Sequence, residues 1–231
     1  WEAVEIEVAV PPSVHEEIVR QYGQAFYLKS NGDIKTINNR YWAGLYLAEN
    51  HLLYEPAERR FYEYQEARGL WQPVTEESLR EVIAARLLAF SRDNGNQEFE
   101  KKITRTNLDT IIAHLKGLAE KADVFNKKKR IVHCANGILR LQPDGDAVFT
   151  EFRVDDYSRN QSPIAFDQEA QCSRFLNELI HSSVGEDDVL LIQKWMGLAL
   201  LGDNAPQKFL ILDGQPGGGK STLIRVIRSV V

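Results

Sequence analysis

Nine residues near the carboxyl end, Gly214-Gln215-Pro216-Gly217-Gly218-Gly219-Lys220-Ser221-Thr222, restrict the local fold more than any other stretch of the chain. Gly214, Gly219, Lys220 and Ser221 meet the pattern G-x-x-x-x-G-K-[ST]. Before them stands Phe209-Leu210-Ile211-Leu212, a short continuous apolar run of the kind found in buried parallel strands. After them stands Leu223-Ile224-Arg225-Val226-Ile227, apolar at helical spacing. The order predicted is strand, glycine loop, helix. A tight loop of small residues lets several backbone N–H groups converge on phosphate oxygens, and the helix points its positive end at the same place. A Cβ at Gly217 or Gly219 would crowd that approach. Gly214 to Gly219, with Gln215, Pro216 and Gly218 between, would line a triphosphate. Lys220 would reach the β- and γ-phosphates, Ser221 would ligate Mg²⁺, and Thr222 would neighbour the nucleotide. ATP and Mg²⁺ are the cofactors this implies, with Lys220 and Ser221 as the catalytic pair.

A phosphate-loop enzyme also needs an acidic residue on a second strand, a group to orient water, and usually an arginine. Only eleven residues follow Lys220, so these parts are expected outside the chain. Trp1 at the start and a helix interrupted at Val231 suggest that both ends are cut, and that the chain is part of a longer protein.

The 231 residues are 43% hydrophobic and 26% charged, which excludes disordered and collagenous classes. A net charge of −5 excludes a surface that coats nucleic acid throughout, so any such contact must be local. The best candidate is Lys127-Lys128-Lys129-Arg130, closing a stretch from 92 to 130 with ten basic and six acidic residues. A solvated surface loop is the alternative. Cys134 and Cys172 are too far apart to suggest a metal or disulfide framework. The five histidines show no pair at ligand spacing. No apolar run approaches the length of a membrane helix and no signal segment opens the chain, so a cytoplasmic protein without membrane attachment is expected.

Residues 1 to 73 read mostly as strand and turn. Asn31-Gly32 joins Ala25–Ser30 to Asp33–Ile37 as a hairpin in which both turn residues take positive φ. Leu52–Tyr54, Phe61–Tyr64 and Leu70-Trp71 read as a meander, its aromatics Tyr54, Phe61, Tyr62, Tyr64 and Trp71 packing on each other rather than stacking on bases. Thr75 caps a helix that buries Leu79, Val82, Ile83, Leu87 and Phe90. Thr106 starts another, with Leu108, Ile111, Ile112, Leu115 and Leu118 in one stripe. Ile131 to Thr150 reads as a further hairpin region turning at Asn136-Gly137 and Asp144-Gly145. Asp167 caps a helix carrying Cys172, Phe175, Leu176, Leu179 and Ile180. Glu186 to Leu201 forms a helix stopping at Gly202, apolar enough to be buried by its neighbours.

Several pieces, in order, carry a resemblance. They are Phe61-Tyr62-Glu63-Tyr64 with Trp71 downstream, Asn136-Gly137-Ile138-Leu139, Ser162-Pro163-Ile164-Ala165-Phe166-Asp167, the helix start from Cys172 to Phe175, Trp195-Met196-Gly197, Leu201-Gly202-Asp203, and Lys208-Phe209 leading into the glycine loop. Over roughly residues 50 to 231 the chain resembles the phage and plasmid primase-helicases, whose helicase part is of superfamily 3 and which include the poxvirus primase-helicase. One departure is Gly218, where many members carry Asn. The resemblance implies an ATP-dependent DNA helicase, assembled as a hexameric homo-oligomer on DNA during replication of a phage, plasmid or integrated element. It implies an α+β accessory domain of hairpins and helices, followed by the first strand, phosphate loop and helix of an α/β AAA+-like ATPase. The divisions expected are a β-rich segment over 1–75, a mainly helical accessory domain over 76–205, and a truncated ATPase start over 206–231. A phosphate-loop kinase or other nucleotide-binding enzyme is the first alternative, although such folds usually open with the loop, which here follows 213 residues. A non-enzymatic DNA-binding or assembly module is the second.

Overall fold

The computed structural model describes residues 12–93, 97–127, 130–202 and 207–230. It is a mixed α+β structure with small antiparallel sheets, in two compact units. Residues 1–65 and 71–127 make the first and residues 66–70 and 128–231 the second. This division falls near residue 127.

The first unit contains α1 (Pro12–Tyr22), a hairpin of β1 (Phe26–Leu28) and β2 (Ile34–Ile37), and α2 (Asn39–Glu49). There follow β3 (Leu52–Glu55), β4 (Arg60–Gln65) and β5 (Leu70–Val74) in that spatial order, then α3 (Glu76–Asp93), α4 (Gln97–Glu100) and α5 (Arg105–Leu118). The two helices α1 and α2 correct the expectation of strand and turn before residue 73. Tyr41 to Tyr46 of α2 are buried without a break, so this helix has no polar face and leaves no 3.6-residue period in the sequence. It crosses α1 at Gly44, where any Cβ would collide with the Tyr22 ring. Trp42 is central: its indole packs against Phe90 at 5.1 Å and Phe99 at 5.9 Å, and its Nε1 donates to the Ala25 carbonyl at 3.0 Å.

Asn38 ties three segments together before α2. Its Oδ1 accepts from the Tyr41 amide, and its Nδ2 donates to the Tyr22 and Gln24 carbonyls at 2.8 Å each. The β1–β2 hairpin forms as expected, but its loop is Lys29 to Asp33 and only Gly32 has positive φ. Asn31 instead bonds Asp33 through its side chain. A turn closed by Gly32 N–H to Lys29 O, with the glycine in the left-handed region, needs one such residue rather than two.

The strand aromatics pack as expected: Tyr54 on Phe61, Tyr62 on Phe125 and Tyr64 on Trp71, with centroids 4.7 to 5.5 Å apart. Thr75 caps α3 through the Ser78 amide, and Leu79, Ile83, Leu87 and Phe90 are buried. Val82 is half exposed, because it lies off that stripe. Thr104 caps α5, slightly ahead of the expected start at Thr106, and Ile111, Ile112 and Leu115 reach the core. The chain after α5 then runs beside β3, with Tyr54 N–H donating to Ala119 O and Lys121 N–H to Tyr54 O.

The second unit opens on β6 (Ile131–Cys134), β7 (Gly137–Leu141) and β8 (Ala147–Thr150), an antiparallel meander. Residues 142–146 repeat the hydrogen-bond pattern of the Lys29–Asp33 loop, with Gly145 at positive φ. Arg140 forks onto the buried Asp156 carboxylate at 2.7 and 2.8 Å. His133 is buried, donates from Nε2 to the Arg68 carbonyl and stacks on Phe152. Its Nδ1 has no partner, and burial pushes the imidazole below its ordinary value of 6.5. Residues 161–166 lie along β6, with Ser162 N–H on His133 O and Ala135 N–H on Ile164 O. Asn136 clasps the Phe166 backbone by both side-chain atoms.

Asp167 caps a turn over 167–170 and not a helix, since its carboxylate takes the Glu169 amide. The helical segment starts at Ser173 and widens into a π-turn, Phe175–Ile180, leaving Cys172 exposed ahead of it. The last two helices are α6 (Glu186–Leu201) and α7 (Lys220–Val230). Gly202 ends α6 in the left-handed conformation, as expected. The expectation that neighbours bury α6 is not met: Ile192 is buried, but Leu190 and Leu191 are each 52% exposed. The described elements around α6 cover one side of it. No helix among the described residues is long and apolar enough to cross a membrane.

Removing the Asn38 side chain orphans two carbonyls and an α2 amide, so Asn38→Ala should lower unfolding free energy by about 3 kcal/mol in urea titration. For His133 the folded state resists protonation while the unfolded chain protonates near 6.5. Its contribution to stability is therefore full above that pH and falls as pH drops through the lower folded value. His133→Gln keeps the donor to Arg68 and should show a shallower loss of stability as the pH falls below 6.5.

Candidate glycine-loop site

Three features of the second unit build this site: the extended approach, the loop and the start of α7. Residues 207–212 form no hydrogen-bonded strand, which corrects the strand expected over Phe209 to Leu212. A strand needs a neighbour to take its amides, and none of the described strands pairs with this run. Phe209 and Ile211 are 80% and 73% exposed, whereas Leu212 packs beneath the loop. Asp213 closes the approach by accepting the Gly214 amide with Oδ1 at 2.8 Å, a local capping role.

The loop turns on Gly214, Gly217 and Gly219, with φ of 144°, 87° and 77°. At Gly217 nothing lies within 4 Å of a Cβ position, so the glycine answers a backbone demand, and no crowding within the chain explains it. At Gly219 a Cβ would stand 2.7 Å from Leu179 Cδ1 and 3.7 Å from Ser183 Oγ, so the space is already taken by the π-turn and the residues after it. Gly218 N–H donates to Gln215 O at 3.3 Å. Gln215 and Pro216 are exposed at the loop's crest.

Lys220 is the first residue of α7, and its ammonium folds back across the loop to the carbonyls of Gly214 at 2.7 Å and Gln215 at 2.8 Å. Ser221 and Thr222 follow in the first helical turn, both exposed. Thr222 Oγ1 accepts from Arg225 at 3.4 Å. The first amides of any helix lack intrahelical acceptors and carry the positive end of its dipole. Loop and helix start therefore bring helix-terminal amides beside the Lys220 ammonium, a chemistry that suits an anion.

Below the loop, Ile180, Ile192 and Leu223 form a small buried core with Leu179, Val189, Met196, Leu212 and Ile227 packed on it. The far end of α7 is tied as well, since Ser162 Oγ donates to the Val230 carbonyl at 2.6 Å. Sequence reasoning missed these supports. Leu179, Ser162 and Ser183 meet the loop and α7 only through the folded chain, and no spacing rule links residues so far apart.

The four-residue basic run is described at its two ends only. Lys127 closes the first unit, Arg130 leads into β6, and Lys128 and Lys129 lie outside the described residues. Both described members are exposed. Upstream, Lys101, Arg105 and Lys116 of the same basic stretch pair with Glu98, Asp109 and Glu76. No group of three or more His, Cys, Asp or Glu side chains among the described residues is arranged to hold a metal.

A family model described as "D5 N terminal like" matches residues 36–181, well over half of the chain and ending before α6 and the glycine loop. No curated protein matches the chain.

Replacing Lys127, Lys128, Lys129 and Arg130 together by Ala should make the slope of log K against log salt for single-stranded DNA shallower by about three. An unchanged slope removes this run from the interface.

Proposed function

The chain belongs to the D5 N terminal like family of phage and plasmid primase-helicases, and from that premise we propose that its glycine loop opens the motor of an ATP-dependent DNA helicase of superfamily 3 type. Its setting is cytoplasmic replication of a phage, plasmid or integrated element. The observation that carries the reading is the loop itself: three positive-φ glycines lead into a helix whose first residue is Lys220 and whose first turn holds Ser221.

In this reading the loop amides from Gly214 to Gly219, with Gln215, Pro216, Gly217 and Gly218 between them, wrap the phosphate tail of ATP, and Thr222 borders it. Lys220 exchanges the Gly214 and Gln215 carbonyls for the β- and γ-phosphates. That exchange is favourable because a charged acceptor binds an ammonium more strongly than a neutral carbonyl does. Ser221, in the first turn of α7, would ligate Mg²⁺, and that ion would neutralise charge on the transferred phosphoryl group. Residues from about 206 onward open the ATPase domain, and the preceding region is its accessory domain. The working assembly is a hexameric ring of identical chains on DNA. Family membership weighs against the kinase alternative, because the matched region is a domain of primase-helicases.

DNA-stimulated ATP hydrolysis by the longer protein, which would supply the remaining motor parts, tests the reading. Lys220→Ala should reduce it by about a hundredfold, the usual scale for losing one charge-stabilising group. Equal hydrolysis with and without Lys220 contradicts the helicase function.

A further inference from the structure

We propose that Leu179, on the π-turn upstream of α6, is a positioning residue for the glycine loop and thereby sets the nucleotide affinity of a motif it does not belong to. The inference rests on the nucleotide reading above and adds to it a residue contributed by the region the family model covers.

Gly219 is the last loop residue before Lys220, and in place of a side chain it has the Leu179 methyl, with Cδ1 2.7 Å from where a Cβ would stand. Leu179 thus fills the space beside the last loop glycine, whose backbone leads into Lys220. The neighbouring Ile180 enters the buried core with Ile192 and Leu223, so two consecutive residues serve the loop and the core beneath it. The π-turn makes this possible. His181 N–H reaches back five residues to Leu176 O at 2.8 Å, and the widened turn carries an extra residue compared with an α-turn. Its exit is fixed too: Ser183 N–H and Val184 N–H both bond the Ile180 carbonyl, and Ser182 Oγ bonds Glu178 O.

At the other end of α7, Ser162 Oγ holds the Val230 carbonyl. Residues 162–183 therefore grip the helix at its last turn and the loop at its last glycine. A loop held in one shape binds without the ordering cost that a wandering loop must meet. Apparent affinity falls in proportion to the fraction of time the competent shape is lost.

The test is equilibrium binding of a slowly hydrolysed ATP analogue with Mg²⁺ to the protein and its variants, with the melting temperature of each recorded. Leu179→Ala should weaken binding about tenfold, as when the loop is competent a tenth of the time. Leu179→Met, which refills the contact, should bind within about twofold of the unaltered protein, again on the population argument. Ile138→Ala opens the buried face of β7, outside the core beneath the loop, and should lower the melting temperature while leaving affinity unchanged. If Leu179→Ala binds as well as the unaltered protein, or if Ile138→Ala loses affinity to the same extent, the positioning role is wrong and the nucleotide reading stands. If the unaltered protein fails to bind, the nucleotide reading is wrong and the positioning role falls with it.

Discussion

The contact between a π-turn and a glycine decides how the carboxyl-terminal part of this protein is built. A loop with three glycines in the left-handed half of conformational space has little reason to hold one shape by itself, since glycine loses more freedom on ordering than any other residue. Its order comes from what it rests on. Leu179 fills the space at Gly219, Leu212 and Leu223 enter one small core from the two sides of the loop, and Lys220 ties the crest to its own carbonyls. Without residues 162–183 the loop keeps its own short hydrogen bonds, one lysine, and the packing of Leu212 and Leu223 with Ile192 of α6.

The first unit uses a different economy. Its stability rests on α2, a helix with no exposed face in its central turns, held at its start by the Asn38 side chain and through its length by Trp42 and the rings around it. Aromatic residues that composition alone would allow as base-stacking platforms are committed to one another, as Tyr62 is to Phe125 and Tyr64 to Trp71. Charge is handled similarly: Lys116 and Arg80 both pair with Glu76, so part of the basic excess is neutralised locally. Exposed ion pairs of this kind contribute little to stability, and their effect here is to reduce the positive field available to a polyanion.

What could be read from the residues follows physical lines. The helices α3, α5 and α6, the β3–β5 meander and the turns of the β6–β8 region, read as a hairpin, were legible because their periods, caps and turn residues agree with one another, as Thr75, Asp144-Gly145 and Gly202 show. The helix α1 was missed, although Pro12 stands at its first position and Val14, Ile18 and Tyr22 recur four apart. In contrast α2 was illegible, since burial on all sides erases periodicity. The run Phe209 to Leu212 has a strand's composition without a strand's partner, and Asp167 spends its carboxylate on a turn. For the site, the loop residues Gly214 to Thr222 were visible by spacing, and their supports were not. Leu179 and Ser162 act by tertiary contact, and a π-turn has no sequence signature among the rules that locate helices.

The central claim is that the loop between Gly214 and Thr222 receives the phosphates of a nucleotide. Amide hydrogen exchange measured residue by residue, with and without a magnesium–ATP analogue, tests it most directly. The account predicts slowed exchange concentrated at Gly217 to Ser221, with smaller effects along the π-turn at Leu179 and Ile180. Exchange at the loop that is the same with and without the nucleotide, under conditions where the nucleotide is in large excess, would contradict it.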